Sequence, residues 1–202
     1  MNNKCGYLSI FTGPMRSGKS SSLINSLTQY VDVDDNLRCV LITHSIDNRD
    51  ENNIISSHSS SYKGISPKIK VIKTTYLKDI NIDDFDILGV DETQLFTDLV
   101  ETIKYWLSKN KQIYCSGLDS NWKLEKFGNI SDLLHISNHF IKLNAICTEC
   151  LKERNSYPHY ELTPAPFSGK VSGNNNIIEI GGNDKYISVC RFHHQICMIK
   201  FN

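Results

Sequence analysis

The chain has 202 residues, 22 Lys+Arg against 22 Asp+Glu and a formal net charge of zero, a balance that disfavours a protein coating long nucleic acid, which needs a basic surplus. With 40% hydrophobic and 22% charged residues it can bury the core of one domain, or of one domain with a small appendage. No apolar run reaches the length of a membrane span, and Met1-Asn-Asn-Lys-Cys5 lacks the apolar core of a signal peptide, so a cytoplasmic protein without a membrane partner is expected.

In chain order, Tyr7–Thr12 reads as a short buried strand and Ser20 onward as the start of a helix. Between them, Gly13-Pro-Met-Arg-Ser-Gly-Lys-Ser20 matches the phosphate-binding pattern G-x-x-x-x-G-K-[ST] at every fixed position. A strand, a glycine-bearing loop and a helix N-terminus aim backbone N–H groups and the helix dipole at an anion. In that pattern Lys19 reaches the terminal phosphates of a nucleotide and Ser20 holds magnesium. Val31–Asn36 then reads as a polar turn, Leu37–Thr43 as a second strand, and Glu51–Ser66 as a long polar flap. Lys68–Thr74 alternates with period two, as a strand does. Asp84–Asp91 is another strand, Leu95–Asn110 a helix, and Lys111–Ser116 a further strand. Gly117–Gly128 reads as a loop exposing Trp122 and Phe127, Ile130–Ile136 as a short helix and Phe140–Ile146 as a strand. Strands alternating with helices at this spacing predict an α/β fold: an open parallel sheet of the P-loop NTPase (RecA-like) type, flanked by helices.

Two further constellations carry chemistry. The strand ending in Asp91-Glu92 is the usual companion of a phosphate-binding loop, with Asp91 as a magnesium ligand and Glu92 as a general base or water-orienting group. Cys147-Thr-Glu-Cys150 and Cys190-Arg-Phe-His193 have the spacing of two zinc knuckles, hence a closed, structural Cys₃His zinc site. His194 and Cys197 compete for the fourth position, but His193 repeats the spacing of the first pair. Cys39 and Cys115 lie in apolar strands as small core residues, and the remaining histidines, among them His44, read as surface or loop residues. From Cys147 the composition becomes irregular, with little core of its own, which divides the chain into a P-loop domain, 1–146, and a zinc-held lid, 147–202.

Taken together, these blocks resemble the type II, zinc-bearing thymidine kinases of animal cells, many bacteria and large DNA viruses. The resemblance runs through Gly13–Ser20, Asp47-Asn-Arg49, Val90–Phe96, Gly117-Leu-Asp119 with Lys126-Phe-Gly128, Cys147–Cys150, and Ile180–Tyr186 followed by Cys190–His193. It implies phosphorylation of thymidine, with deoxyuridine possible, at the 5′-hydroxyl by ATP, with magnesium and a structural zinc. It implies that Gly13, Pro14, Met15, Arg16, Ser17, Gly18, Lys19, Ser20, Asp91 and Gln94 bind ATP–magnesium, that Glu92 is the base, and that Arg49 and Lys19 stabilise the transferring phosphoryl. It further implies a thymidine pocket walled by Met15, Leu118, Trp122, Phe127 and Tyr186. In that pocket the backbone of Ile177, Ile178, Glu179, Ile180 and Gly181, on a zinc-held lasso, reads the base. Asp119, Gln94 and Tyr186 would contact the sugar or order the lid, and the family's tetramers imply a homotetramer. The chain departs from the family at Arg16, at Leu95 in place of an aromatic, at Trp122 in place of Phe, at His193 in place of Cys, and in the longer 158–176 segment. Two other readings share part of these motifs: another P-loop ATPase with a structural zinc knuckle, and a non-catalytic zinc-ribbon binding module.

Overall fold

The computed structural model describes residues 5–46, 65–156, 162–173 and 185–200. The chain forms two compact units. The first takes Met1–Phe11, Lys19–Gly117 and Gly128–Ile141; the second takes Thr12–Gly18, Leu118–Phe127 and Lys142–Asn202.

The first unit is built on a six-stranded sheet. Its strands are β1 (Tyr7–Thr12), β2 (Cys39–His44), β3 (Ile69–Thr74), β4 (Ile87–Val90), β5 (Gln112–Gly117) and β6 (His139–Lys142), in the order β3-β2-β4-β5-β1-β6. β2 runs parallel to β3 and to β4, and β4 runs parallel to β5; Leu41 stands opposite Val71 and Gly89, and Gly89 opposite Tyr114. The inner strands read as unbroken apolar runs because both faces are covered. One face carries Leu8, Ile10, Val40, Ile42, Leu88, Val90, Ile113 and Cys115, packed with Leu99, Ile103 and Trp106 of helix α2 (Leu99–Ser108). The residues between them face helix α1 (Lys19–Val33): a Cβ on Gly89 would strike Leu23 and Leu27, and the Cys39 thiol lies 4.0 Å from the Leu27 carbonyl. That period-two division follows from the pleat, and it makes the expected α/β sheet with helices on both faces. Cys39 and Cys115 are buried as expected, and burial pushes the Cys39 thiol up to about 11.

Several boundaries differ from the sequence reading. α1 runs through the expected turn to Val33 because Val31 is buried and continues the apolar stripe. The helix expected over Leu95–Asn110 begins at Leu99; Leu95 instead closes a single 3-10 turn, Thr93–Leu95, that turns Thr93 and Gln94 inward. The short helix expected over Ile130–Ile136 is present with those bounds, as a 3-10 helix. The strand expected over Phe140–Ile146 is broken, because Leu143 N–H donates to the Thr12 carbonyl at 2.8 Å; β7 (Ala145–Ile146) starts anew beyond it. Most of the expected 51–66 flap lies outside the described residues.

The second unit contains α3 (Thr148–Ser156), β8 (Pro164–Ala165), β9 (Phe167–Lys170), β10 (Tyr186–Val189) and α4 (Arg191–Ile199). β9 and β10 are antiparallel, as are β7 and β8. Contrary to the expectation of little core, Ala145, Cys147, Ala165, Phe167, Ile187, Val189 and Cys197 form a buried cluster of their own. Its members are spread over β7, β8, β9, β10, α4 and the residue before α3, so no local apolar run announces them.

Candidate active site

In the first unit, β4 ends at Val90 and delivers Asp91, which is 1% exposed. Its Oδ1 accepts from Glu92 N–H at 2.9 Å and from the Ser116 hydroxyl, while its own N–H donates to the Ile42 carbonyl. Glu92 then takes a left-handed backbone, φ 51° and ψ 42°, which a non-glycine residue adopts only where its surroundings enforce it. Two such surroundings are visible. Gln94 Nε2 donates to Glu92 Oε2 at 2.5 Å, and the Thr93 hydroxyl donates to the Ser116 carbonyl at 3.0 Å. Gly117 and Gly128 close the floor, since a Cβ on either would strike Thr93 or Gln94. The result is one buried carboxylate and one half-buried carboxylate at a strand's carboxyl end, where open α/β sheets bind ligands. At the start of α1, Lys19 is buried and Ser20 half-buried, and the first turn carries no acid to oppose the helix dipole. His44, read as a surface residue, is buried at the end of β2 with its ring edge-on to Phe96 at 4.8 Å.

In the second unit, Gly13 (φ 137°) and Gly18 (φ 84°) bracket the loop. A Cβ at Gly13 would strike the Leu143 carbonyl and the Ser17 hydroxyl, so the turn requires glycine. Ser17 Oγ is buried and has no partner among the described residues, which suits a loop built to receive phosphate oxygens. Met15 is tied at both backbone groups: its N–H donates to Ser168 Oγ at 3.0 Å and its carbonyl accepts from Ser188 Oγ at 2.6 Å. Arg16 has a left-handed backbone, φ 60°, and its side chain points to solvent.

The loop expected to expose Trp122 buries it instead, at 3% exposure. His194 Nε2 lies 2.8 Å from its carbonyl, and Lys170 Nζ sits 5.3 Å from its ring centroid. Leu118, Phe127 and Tyr186 are half-buried. Phe127 N–H donates to the Asp119 carbonyl at 3.3 Å, and Asp119 pairs with Lys142 at 2.5 Å. Arg49 and Ile177–Gly181 lie outside the described residues.

Cys147, Cys150, Cys190 and His193 come together, with their donor atoms within 4.8 Å of one another. His193 Nδ1 stands 3.5, 3.4 and 3.4 Å from the three sulfurs, and Cys150 Sγ lies 3.9 Å from Cys190 Sγ. Donors held about 2.0–2.3 Å from one ion at tetrahedral angles stand roughly 3.5–3.8 Å apart, so the set fits zinc. Burial pushes the Cys147 thiol up, but hydrogen bonds from the backbone N–H groups and thiols of Cys150 and Cys190 together bring it down, while burial and those same neighbours push the Cys150 thiol up. The rivals for the fourth position are not in the converging group: His194 Nε2 lies 2.8 Å from the Trp122 carbonyl, and the Cys197 thiol is not among the four donors that come together. Three side chains escaped the sequence reading. Ser116 fixes Asp91, Glu153 Oε1 lies 3.2 Å from His193 Nε2, and Lys170 lies buried in β9. Glu153 follows Cys150 by one helical turn, a spacing that carries the signal.

A family model described as thymidine kinase matches residues 6–194. Curated relatives include the thymidine kinase of Yaba monkey tumor virus (strain VR587), 33% identical over 100% of this chain and 99% of its own. The thymidine kinase of Fowlpox virus (strain NVSL) is 32% identical over 92% of this chain and 95% of its own. That of Amsacta moorei entomopoxvirus is 36% identical over 91% and 95%. Among solved structures, domain III of the Thermotoga maritima replication initiation protein DnaA matches 69% of this chain and 55% of its own at 17% identity, with a TM-score of 0.39.

Proposed function

The chain belongs to the thymidine kinase family, and on that premise we propose that it transfers the γ-phosphoryl group of ATP to the 5′-hydroxyl of thymidine, with deoxyuridine as a second acceptor, in DNA precursor synthesis. The observation that carries this reading is the end of β4, where Asp91 is buried and fixed by Ser116 while Glu92 is turned out of the strand and held by Gln94.

Phosphoryl transfer passes through a loose transition state, so the protein's task is positioning and charge stabilisation. In this reading the backbone of Gly13, Pro14, Met15, Arg16, Ser17 and Gly18 cradles the phosphates, joined by the Ser17 hydroxyl and the Lys19 ammonium. Ser20 and Asp91 would hold magnesium, which would supply positive charge to offset that of the phosphates. Glu92 accepts the proton of the attacking hydroxyl; the hydrogen bond from Gln94 keeps its carboxylate oriented for that transfer. Arg49 is assigned to the transferring phosphoryl on the family resemblance. Met15, Leu118, Trp122, Phe127 and Tyr186 wall the nucleoside pocket, and the backbone of Ile177–Gly181 reads the thymine edge. Residues 1–146 then act as the kinase domain and 147–202 as the lid, whose zinc at Cys147, Cys150, Cys190 and His193 is structural. The working form is a cytoplasmic homotetramer without a nucleic-acid partner.

Glu92→Gln tests the central role. The expected result is a loss of roughly 10²–10⁴-fold in kcat, with ATP binding and far-UV circular dichroism unchanged. Unchanged turnover would remove Glu92 as the base.

A further inference from the structure

β9 (Phe167–Lys170) is buried along its whole length, and it ends in a lysine that is 0% exposed. Lysine is rarely buried without compensation, because taking an ammonium out of water is costly. Two aromatic rings flank this one: Lys170 Nζ stands 5.3 Å from the Trp122 ring centroid and 5.6 Å from that of Tyr186. Both distances lie within cation–π range. Tyr186 is also the direct partner of Lys170 across the β9–β10 pair. Ser168, two residues earlier and hence on the same face of the strand, accepts from Met15 N–H. One face of β9 therefore ties down three residues that the proposed function assigns to the nucleoside pocket: Met15 through Ser168, and Trp122 and Tyr186 through Lys170. His194 fixes Trp122 a second time, at its carbonyl.

We infer that Lys170 is a positioning residue for nucleoside binding, its ammonium locking the Trp122 and Tyr186 rings into one rigid wall. The inference rests on the proposed function, because it takes those rings to face the nucleoside. Lys123 Nζ also lies 5.1 Å from the Trp122 ring centroid, but a neutral side chain of equal bulk at position 170 removes the ammonium that links that ring to Tyr186. Nucleoside affinity then falls while ATP affinity does not.

Steady-state kinetics of the full chain with thymidine and ATP–magnesium test this on three proteins. Lys170→Met replaces the ammonium by an apolar chain of similar length, and Lys170→Arg keeps the charge. We expect the KM for thymidine to rise about tenfold in Lys170→Met, the KM for ATP to stay at the parent value, and Lys170→Arg to recover most of the loss. If Lys170→Met does not fold, Lys170→Gln takes its place; it retains a hydrogen-bond donor without charge and should show the same selective rise. A parent chain that fails to phosphorylate thymidine overturns the proposed function, and this inference with it. A parent that phosphorylates thymidine, with neutral variants whose thymidine KM is unchanged or rises only in step with the ATP KM, overturns this inference alone.

Discussion

The His193 imidazole has two nitrogens with two different tasks. Nδ1 faces the three thiols, while Nε2 lies 3.2 Å from the Glu153 carboxylate. A carboxylate there accepts a hydrogen bond from Nε2–H, which fixes the tautomer and leaves the Nδ1 lone pair free to bind a metal. Glu153→Gln should therefore weaken metal affinity about tenfold, the lower end for such partners because the Glu153 side chain is 51% exposed; competition against a chromophoric chelator reads this directly. Affinity equal to the parent's would show that the carboxylate does not orient the ring. The four converging donors were legible in the sequence because each pair is a local spacing. Glu153 was not, since its part depends on α3 turning it toward a histidine 40 residues away. Trp122 and His44 failed as surface residues for the same kind of reason. Their burial depends on distant groups, Lys170 and His194 for the indole and Phe96 for the imidazole. Arg16, a departure from the family pattern, sits in left-handed backbone with its side chain in solvent, so its bulk meets no steric objection in the loop.

Among the elements, the inner strands were the easiest to read, because a parallel strand buried on both faces is an apolar run with no polar alternation. Helix ends and short turns were harder. The start of α2 at Leu99 depends on the preceding turn placing Thr93 and Gln94 under Gly117 and Gly128, which is a tertiary demand. One device fixes the strands at their opposite end. Arg38 Nε and NH2 grip both oxygens of Asp86 at 3.1 Å, Arg38 N–H donates to the same carboxylate, and Asp86 N–H donates to the Arg38 carbonyl at 2.9 Å. This clip sits just before β2 and β4 pair and defines their register. The Arg38 hydrogen bonds hold the Asp86 carboxyl below the usual carboxylate range, even though its partial burial works the other way. Because the folded value is depressed, the stabilisation is complete above the ordinary carboxylate value of about 4 and is lost as pH falls through the folded value. Asp86→Asn should thus lower the urea midpoint at neutral pH, by a modest amount because the pair is exposed to solvent. The gap between parent and variant should close as the pH falls below the ordinary carboxylate value and through the depressed folded one. A gap that does not change with pH would place the clip's contribution in packing rather than charge.

For the whole molecule, zero net charge and the order of the motifs pointed to an α/β phosphotransferase before any coordinates, and the match over residues 6–194 places the chain in the thymidine kinase family. The composition break at Cys147 was legible too. The sequence did not reveal that the compact unit around it also takes in Thr12–Gly18 and Leu118–Phe127. Hydrogen bonds from Met15 N–H to Ser168, from the Ser188 hydroxyl to the Met15 carbonyl, and between His194 and the Trp122 carbonyl draw those segments in across 153, 173 and 72 residues, separations that no local pattern encodes. The Gly13–Gly18 loop and the segment that carries Cys147, Cys150, Cys190 and His193 therefore belong to one compact unit. The most direct measurement is a steady-state screen of the purified chain against the common deoxynucleosides with ATP–magnesium, products resolved by chromatography. The account predicts thymidine monophosphate and ADP in equal amounts, with deoxyuridine the next acceptor. ATP hydrolysis stimulated by DNA, with no thymidine phosphorylated, would contradict it.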